Sequence, residues 1–116
     1  MTRVVDGHRL EEQRRTMALG LGISESDLAA LCGKWKVREL ALFGSILRED
    51  FSASSDVDVL VSFDPAATWS GWDLMAMKAE LEALFDRPVD LVEKEALRNP
   101  WRKREILSTC EVLYAA

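Results

Sequence analysis

The sequence is poor in the residues that most often carry chemistry. Its 116 residues include two cysteines, Cys32 and Cys110, and a single histidine, His8. Neither cysteine has a Cys or His neighbour at metal-ligand spacing, so both read as small hydrophobes in a reducing compartment. His8 stands in a polar context without partners and reads as a solvated surface histidine. No apolar run approaches the ~20 residues that a membrane-spanning helix needs. The opening MTRVVDGHRLEEQRR puts charges where a signal peptide has its apolar segment, so a cytoplasmic chain with no membrane partner is expected. A basic excess is missing too: 15 Lys and Arg face 20 Asp and Glu, a net charge of −5. Phosphate-backbone binding is driven by Lys and Arg, which argues against nucleic acid as a partner.

What is present is the balance of one small soluble domain, 48% apolar and 30% charged, without repeats or low-complexity segments. Residues 1–22 read as an N-terminal extension that Gly20 and Gly22 close with a loop, and residues 23–116 as the domain. Ser24 as N-cap, with Asp27 three residues on and Ile23 facing Leu28, predicts a helix carrying Leu28, Leu31, Cys32 and Trp35 on one face. VRELALF over 37–43 predicts a first strand. Ser70 and Asp73 predict a second helix start. Its stripe of Leu74, Met77, Leu81, Leu84 and Phe85 reads as core, and Pro88 ends it. Val89–Val92 predicts a short strand, and Asn99-Pro100 the start of a last helix. Ile106, Cys110 and Leu113 follow at spacings of four and three. Residues 112–114 read either as the end of that helix or as an edge strand. Arg98, Arg102, Lys103 and Arg104 form the one dense basic cluster, readable as a solvated face, a phosphate contact or a site for an acidic partner.

The most informative stretch is Leu42 to Phe63, LFGSILREDFSASSDVDVLVSF. Gly44-Ser45 closes an apolar run, as expected of a strand that ends in a tight turn. Ten residues later Asp56-Val57-Asp58 opens a second apolar run. Strand side chains alternate, so Asp56 and Asp58 point the same way. Two carboxylates side by side repel unless a cation sits with them. The hard cation that carboxylates and phosphates share is Mg²⁺. Gly44 allows close backbone approach, and amides with the Ser45 hydroxyl can donate to phosphate oxygens. Residues 46–50 read as a short helix whose positive end faces that site. Arg48 carries two readings, a phosphate or turn contact and a structural pairing with a nearby carboxylate. Asp90, set among apolar residues of the next strand, reads either as a surface-facing Asp on a half-exposed strand or as a third acid, in that role ahead of Asp86 at a helix end and Glu93 where the strand gives out.

Gly-Ser, ten residues, then Asp-x-Asp resembles the signature of the DNA polymerase β-like nucleotidyltransferases. With Arg48 and LREDF before SDVDVLV, the wording is similar to the minimal nucleotidyltransferases, whose best-known members are antitoxins paired with HEPN-domain toxins. The resemblance runs from about Ile23 to Tyr114. It implies an α/β (α+β) palm-like core, a small mixed sheet with packed helices. It also implies AMP transfer from ATP, with Asp56, Asp58 and Asp90 as catalytic and metal-holding residues for one or two Mg²⁺. Gly44, Ser45 and Arg48 would hold the phosphates. The implied acceptor is a tyrosine hydroxyl of a HEPN toxin partner, and a homo-oligomer is equally compatible with so small a chain. Two other readings stay open: a transferase acting on a small hydroxylated molecule such as an aminoglycoside, and a module that neutralises a toxin by contact alone.

Overall fold

Among the described residues each of the three α-helices begins at a residue whose side chain takes up an otherwise orphaned amide. The computed structural model describes residues 23–44 and 56–116. Helix α1 (Glu25–Lys34) starts at Ser24, whose Oγ accepts the Asp27 N–H at 3.3 Å. Helix α2 (Gly71–Phe85) starts in a capping box. Ser70 Oγ accepts from the Asp73 N–H at 3.2 Å, and the Asp73 carboxylate accepts from the Ser70 N–H at 2.9 Å. Helix α3 (Pro100–Thr109) starts at Asn99, whose Oδ1 accepts from the Trp101 and Arg102 amides, with Pro100 in the first turn, where its missing N–H is no loss. Helix α2 ends at Asp86, which takes the left-handed conformation (φ 56°) that lets the chain turn into Pro88. Among the described residues no helix is long and apolar enough to cross a membrane.

Four strands form one mixed sheet: β1 (Val37–Phe43), β2 (Val57–Phe63), β3 (Val89–Glu93) and β4 (Glu111–Ala115), in the order β3-β2-β1-β4. Strand β1 is antiparallel to both β2 and β4, whereas β2 and β3 are parallel and joined through α2. The mixed α/β fold expected from the sequence is therefore present.

The two faces bury different sets of side chains. On one, Leu28, Leu31 and Cys32 of α1 and Met77, Leu81 and Phe85 of α2 pack on Leu40, Leu42, Val57, Val59, Val61 and Val89. On the other, Ile106 of α3 packs with Ala41, Phe43 and Leu60, with Val92, Leu97, Cys110 and Val112 around them. The spacing Ile106, Cys110, Leu113 does not continue one helix. The helix stops at Thr109, the chain becomes the edge strand β4, and Leu113 turns into the opposite cluster. Between α1 and α2, Trp35 and Trp69 meet edge to face at 5.0 Å. The Trp69 indole N–H donates to the Trp35 carbonyl at 2.9 Å, and the Trp35 indole N–H donates to the Glu80 carboxylate at 3.1 Å.

Both cysteines are free thiols, and Cys32 has no exposed surface. Burial pushes the Cys32 thiol up to about 12 from an ordinary 9.0. The folded protein thus holds this proton to higher pH than the unfolded chain does. The stability tied to it is complete below pH 9.0 and is lost as pH rises toward about 12. Urea melts of the parent and Cys32→Ala should accordingly diverge in pH dependence above pH 9.0, the parent losing stability faster. Iodoacetamide at neutral pH should label Cys32 only after unfolding.

Candidate active site

The sheet register brings two of the three sequence-predicted acids together. Strand β2 alternates so that Val57, Val59 and Val61 fill the α1/α2 core, while Asp58 and Leu60 point to the face that α3 covers. In the parallel pairing of β2 with β3, Asp58 lies opposite Asp90, and Val57 opposite Val89. Residues at matching register on neighbouring strands share a face at a spacing of about 4.8 Å between chains. Asp58 is half-buried and Asp90 exposed. Asp56, also exposed, stands just ahead of the first residue of β2. The pair sits at the start of both strands.

Two hydrogen bonds fix this end of the sheet. The Val57 N–H donates to the Pro88 carbonyl at 2.9 Å. The Val89 N–H, one residue before Asp90, donates to the Glu82 carboxylate at 2.9 Å. Glu82 therefore ties the last turn of α2 to the start of β3 and sets where Asp90 stands. Nothing in the sequence marks it out, because a carboxylate late in a helix reads as a solvated charge.

The third component is the end of β1. Phe43 lies opposite Asp58 across the antiparallel pair, so Gly44 follows directly beside that carboxylate. Gly44 has φ +75°, and a Cβ there would overlap the Asp58 Oδ2 and lie 3.1 Å from its Cγ. Both the backbone conformation and the space demand glycine. Ser45 and Arg48 lie outside the described residues.

Two like charges on adjacent strands repel, and a hard cation among them removes that cost. The donors are all carboxylate oxygens, the set that suits Mg²⁺ when phosphate oxygens complete the shell. Among the described residues no group of three or more His, Cys, Asp or Glu side chains is gathered to hold a metal ion by itself. What the register brings together is the pair Asp58 and Asp90 beside Gly44, with Asp56 just ahead of β2. The basic cluster is not part of this arrangement. Strand β3 runs away from the acids, the turn Lys94–Ala96 follows its far end, and α3 begins only after that. Helix α3 then returns along the sheet so that Glu111 of β4 pairs with Leu42. Arg98, Arg102 and Lys103 are exposed at the opposite end from Asp58 and Asp90.

Residues 28–113 match the profile of the nucleotidyltransferase domain family. The chain belongs to that family. This nucleotidyltransferase is 36% identical over 73 residues to MJ1379 of Methanocaldococcus jannaschii, which is provisionally named a protein adenylyltransferase; the match covers 63% of this chain and 73% of that one. It is 38% identical over 66 residues to the protein adenylyltransferase MntA of Thermococcus cleftensis, covering 57% and 65% of the two chains. Its fold is similar to that in a re-refined structure of a tri-AMPylated Shewanella oneidensis HEPN toxin in complex with its MNT antitoxin. That superposition has a TM-score of 0.57 at 20% identity, over 79% of this chain and 70% of the other.

Two variants test the geometry of this nucleotidyltransferase. Gly44→Ala should fold with a lowered urea midpoint and lose nucleotidyl transfer, since the new methyl group must displace Asp58 or the turn. Glu82→Ala leaves the Val89 amide without its acceptor and should cost about 1–3 kcal/mol of stability. Its transfer rate should drop in kcat more than in the KM for the nucleotide.

Proposed function

We propose that this nucleotidyltransferase moves AMP from ATP onto a protein hydroxyl, a tyrosine of a HEPN toxin partner, and so acts as the antitoxin of the pair. The observation that carries the reading is the placement of Asp58 opposite Asp90 beside the glycine turn. The likeness to named protein adenylyltransferases supports the reaction, and the fold shared with an MNT antitoxin bound to an AMPylated HEPN toxin supports the partner.

In this reading Asp58, with Asp56 just ahead of β2, would hold Mg²⁺ for the triphosphate, and Asp90 on the neighbouring strand serves as the base. When bound, the metal supplies positive charge against the phosphate oxygens and lowers the barrier to displacement at phosphorus. The bare backbone at Gly44 allows the phosphates to approach closely, with the Ser45 hydroxyl and the Arg48 guanidinium as further phosphate contacts. The acceptor oxygen then attacks the α-phosphorus in line with the leaving group. A new oxygen–phosphorus bond forms, the bond to pyrophosphate breaks, and pyrophosphate departs with the electron pair. Asp90, exposed at the mouth of the site, takes the proton that the hydroxyl releases. Most of the acceleration comes from holding the reacting atoms in line.

The test is incubation with labelled ATP, Mg²⁺ and the product of the adjacent reading frame as the candidate toxin, read by intact mass. The expected result is an added AMP on the toxin, lost on chelation of the metal. Asp90→Asn should slow transfer by roughly 10²–10⁴-fold, the usual worth of a positioned base, without a matching change in nucleotide affinity. Asp56→Ala with Asp58→Ala should abolish transfer and toxin neutralisation together. Full neutralisation by that double variant would mean that the antitoxin acts by contact, and absence of AMP from the toxin would rule out the protein acceptor.

A further inference from the structure

Helix α2 is apolar on both sides. Its inner face holds Met77, Leu81 and Phe85 in the core. Its outer face, read at i, i+3, i+4, i+7 and i+11, is Trp72, Met75, Ala76, Ala79 and Ala83, all exposed. Trp72 is 81% and Met75 63% exposed, the two largest apolar side chains that this helix leaves to solvent. A surface helix ordinarily puts charge there, and a helix that is apolar all round is normally buried. The outer faces of α1 and α3 do carry charge, through Asp27 and Lys34 on one and Arg104 and Glu105 on the other.

We infer that a second copy of this chain docks on this face, α2 against α2 in antiparallel array about a two-fold axis near Ala79. The stripe is complementary to its own inverted image. Its two bulky residues, Trp72 and Met75, come before its three alanines, so antiparallel pairing about Ala79 sets Met75 of one protomer over the partner's Ala83. The alanines at the centre let the two helices approach closely. Charge agrees with the same arrangement. Lys78 and Glu82 lie along one flank, and inversion puts Lys78 alongside the partner's Glu82, whose Oε2 accepts from the Val89 N–H and whose Oε1 is left for the lysine. On the other flank Glu80 meets its own copy, but its charge is already matched by Lys34 at 2.7 Å and by the Trp35 indole N–H. Those contacts hold the Glu80 carboxyl below the ordinary carboxylate range. Position favours a second copy over the acceptor-bearing partner. Helix α2 lies on the sheet face opposite Asp58 and Asp90, so pairing through it leaves both sites open. One helix pair covers less than a standard interface, so the dimer is reversible and depends on concentration.

Sedimentation velocity on the full chain, from low micromolar to near-millimolar concentration, should show a monomer–dimer equilibrium. Ala79→Glu, with its charge on the axis, should raise the dissociation constant at least about tenfold. Trp72→Ala should weaken the dimer, and Lys78→Glu should weaken it through like charge. Circular dichroism and urea midpoints close to the parent will show that the variants fold. In a Cys110→Ser background, Ala79→Cys should form a disulfide-linked dimer under mild oxidation, whereas Ser108→Cys on α3 should not. A chain that stays monomeric throughout overturns the inference, as does a dimer that Ala79→Glu leaves intact. Loss of toxin binding in Ala79→Glu with self-association unchanged would assign the face to the toxin instead.

Discussion

The parallel pairing of β2 with β3 is the constraint on which the site depends. That register alone decides that Asp58 and Asp90, thirty-two residues apart in the chain, stand side by side. A shift of one residue would turn Asp90 into the α2 face of the sheet and bring Val89 or Leu91 out in its place. Placing two carboxylates together gives no stability by itself. The strands must be held by other means: the valines beneath them, the Pro88 carbonyl on the Val57 amide, and the Glu82 carboxylate on the Val89 amide. The core on one face of β2 thus restrains the acids on the other.

Local chemistry was readable where a single residue type has one job. Ser24, Ser70 and Asn99 cap the three described α-helices as their sequence contexts predict, and Pro88 separates α2 from β3. Valines alternating with aspartates identified β2 and the direction of its acids. Asp90 was legible for a similar reason, as an acid that apolar neighbours on both sides force onto one face of a strand. Its pairing with Asp58 was not, because register is a tertiary property that no local pattern carries.

Other features were hidden by ambiguity of period or by distance in the chain. Ile106, Cys110 and Leu113 fit a helix as well as a helix followed by a strand, and the break is decided by which sheet face each residue finds. Glu82 looks like any charge on a helix until β3 is folded beside it. The basic cluster around α3 is adjacent in sequence to the acids of β3, yet the crossover carries it to the far end of the sheet. The outer stripe of α2 was visible only in part, since alanine is compatible with solvent and with contact alike.

The left-handed turn at Gly44 bears on how other chains of this fold should be read. The space a side chain would need there is already taken by the Asp58 carboxylate. A homologous sequence can keep both acidic positions and still have surrendered their geometry if this one residue carries a side chain. In the proposed reading of the site, glycine at this place separates chains that keep the geometry of the Asp58 carboxylate from chains that keep only its sequence position.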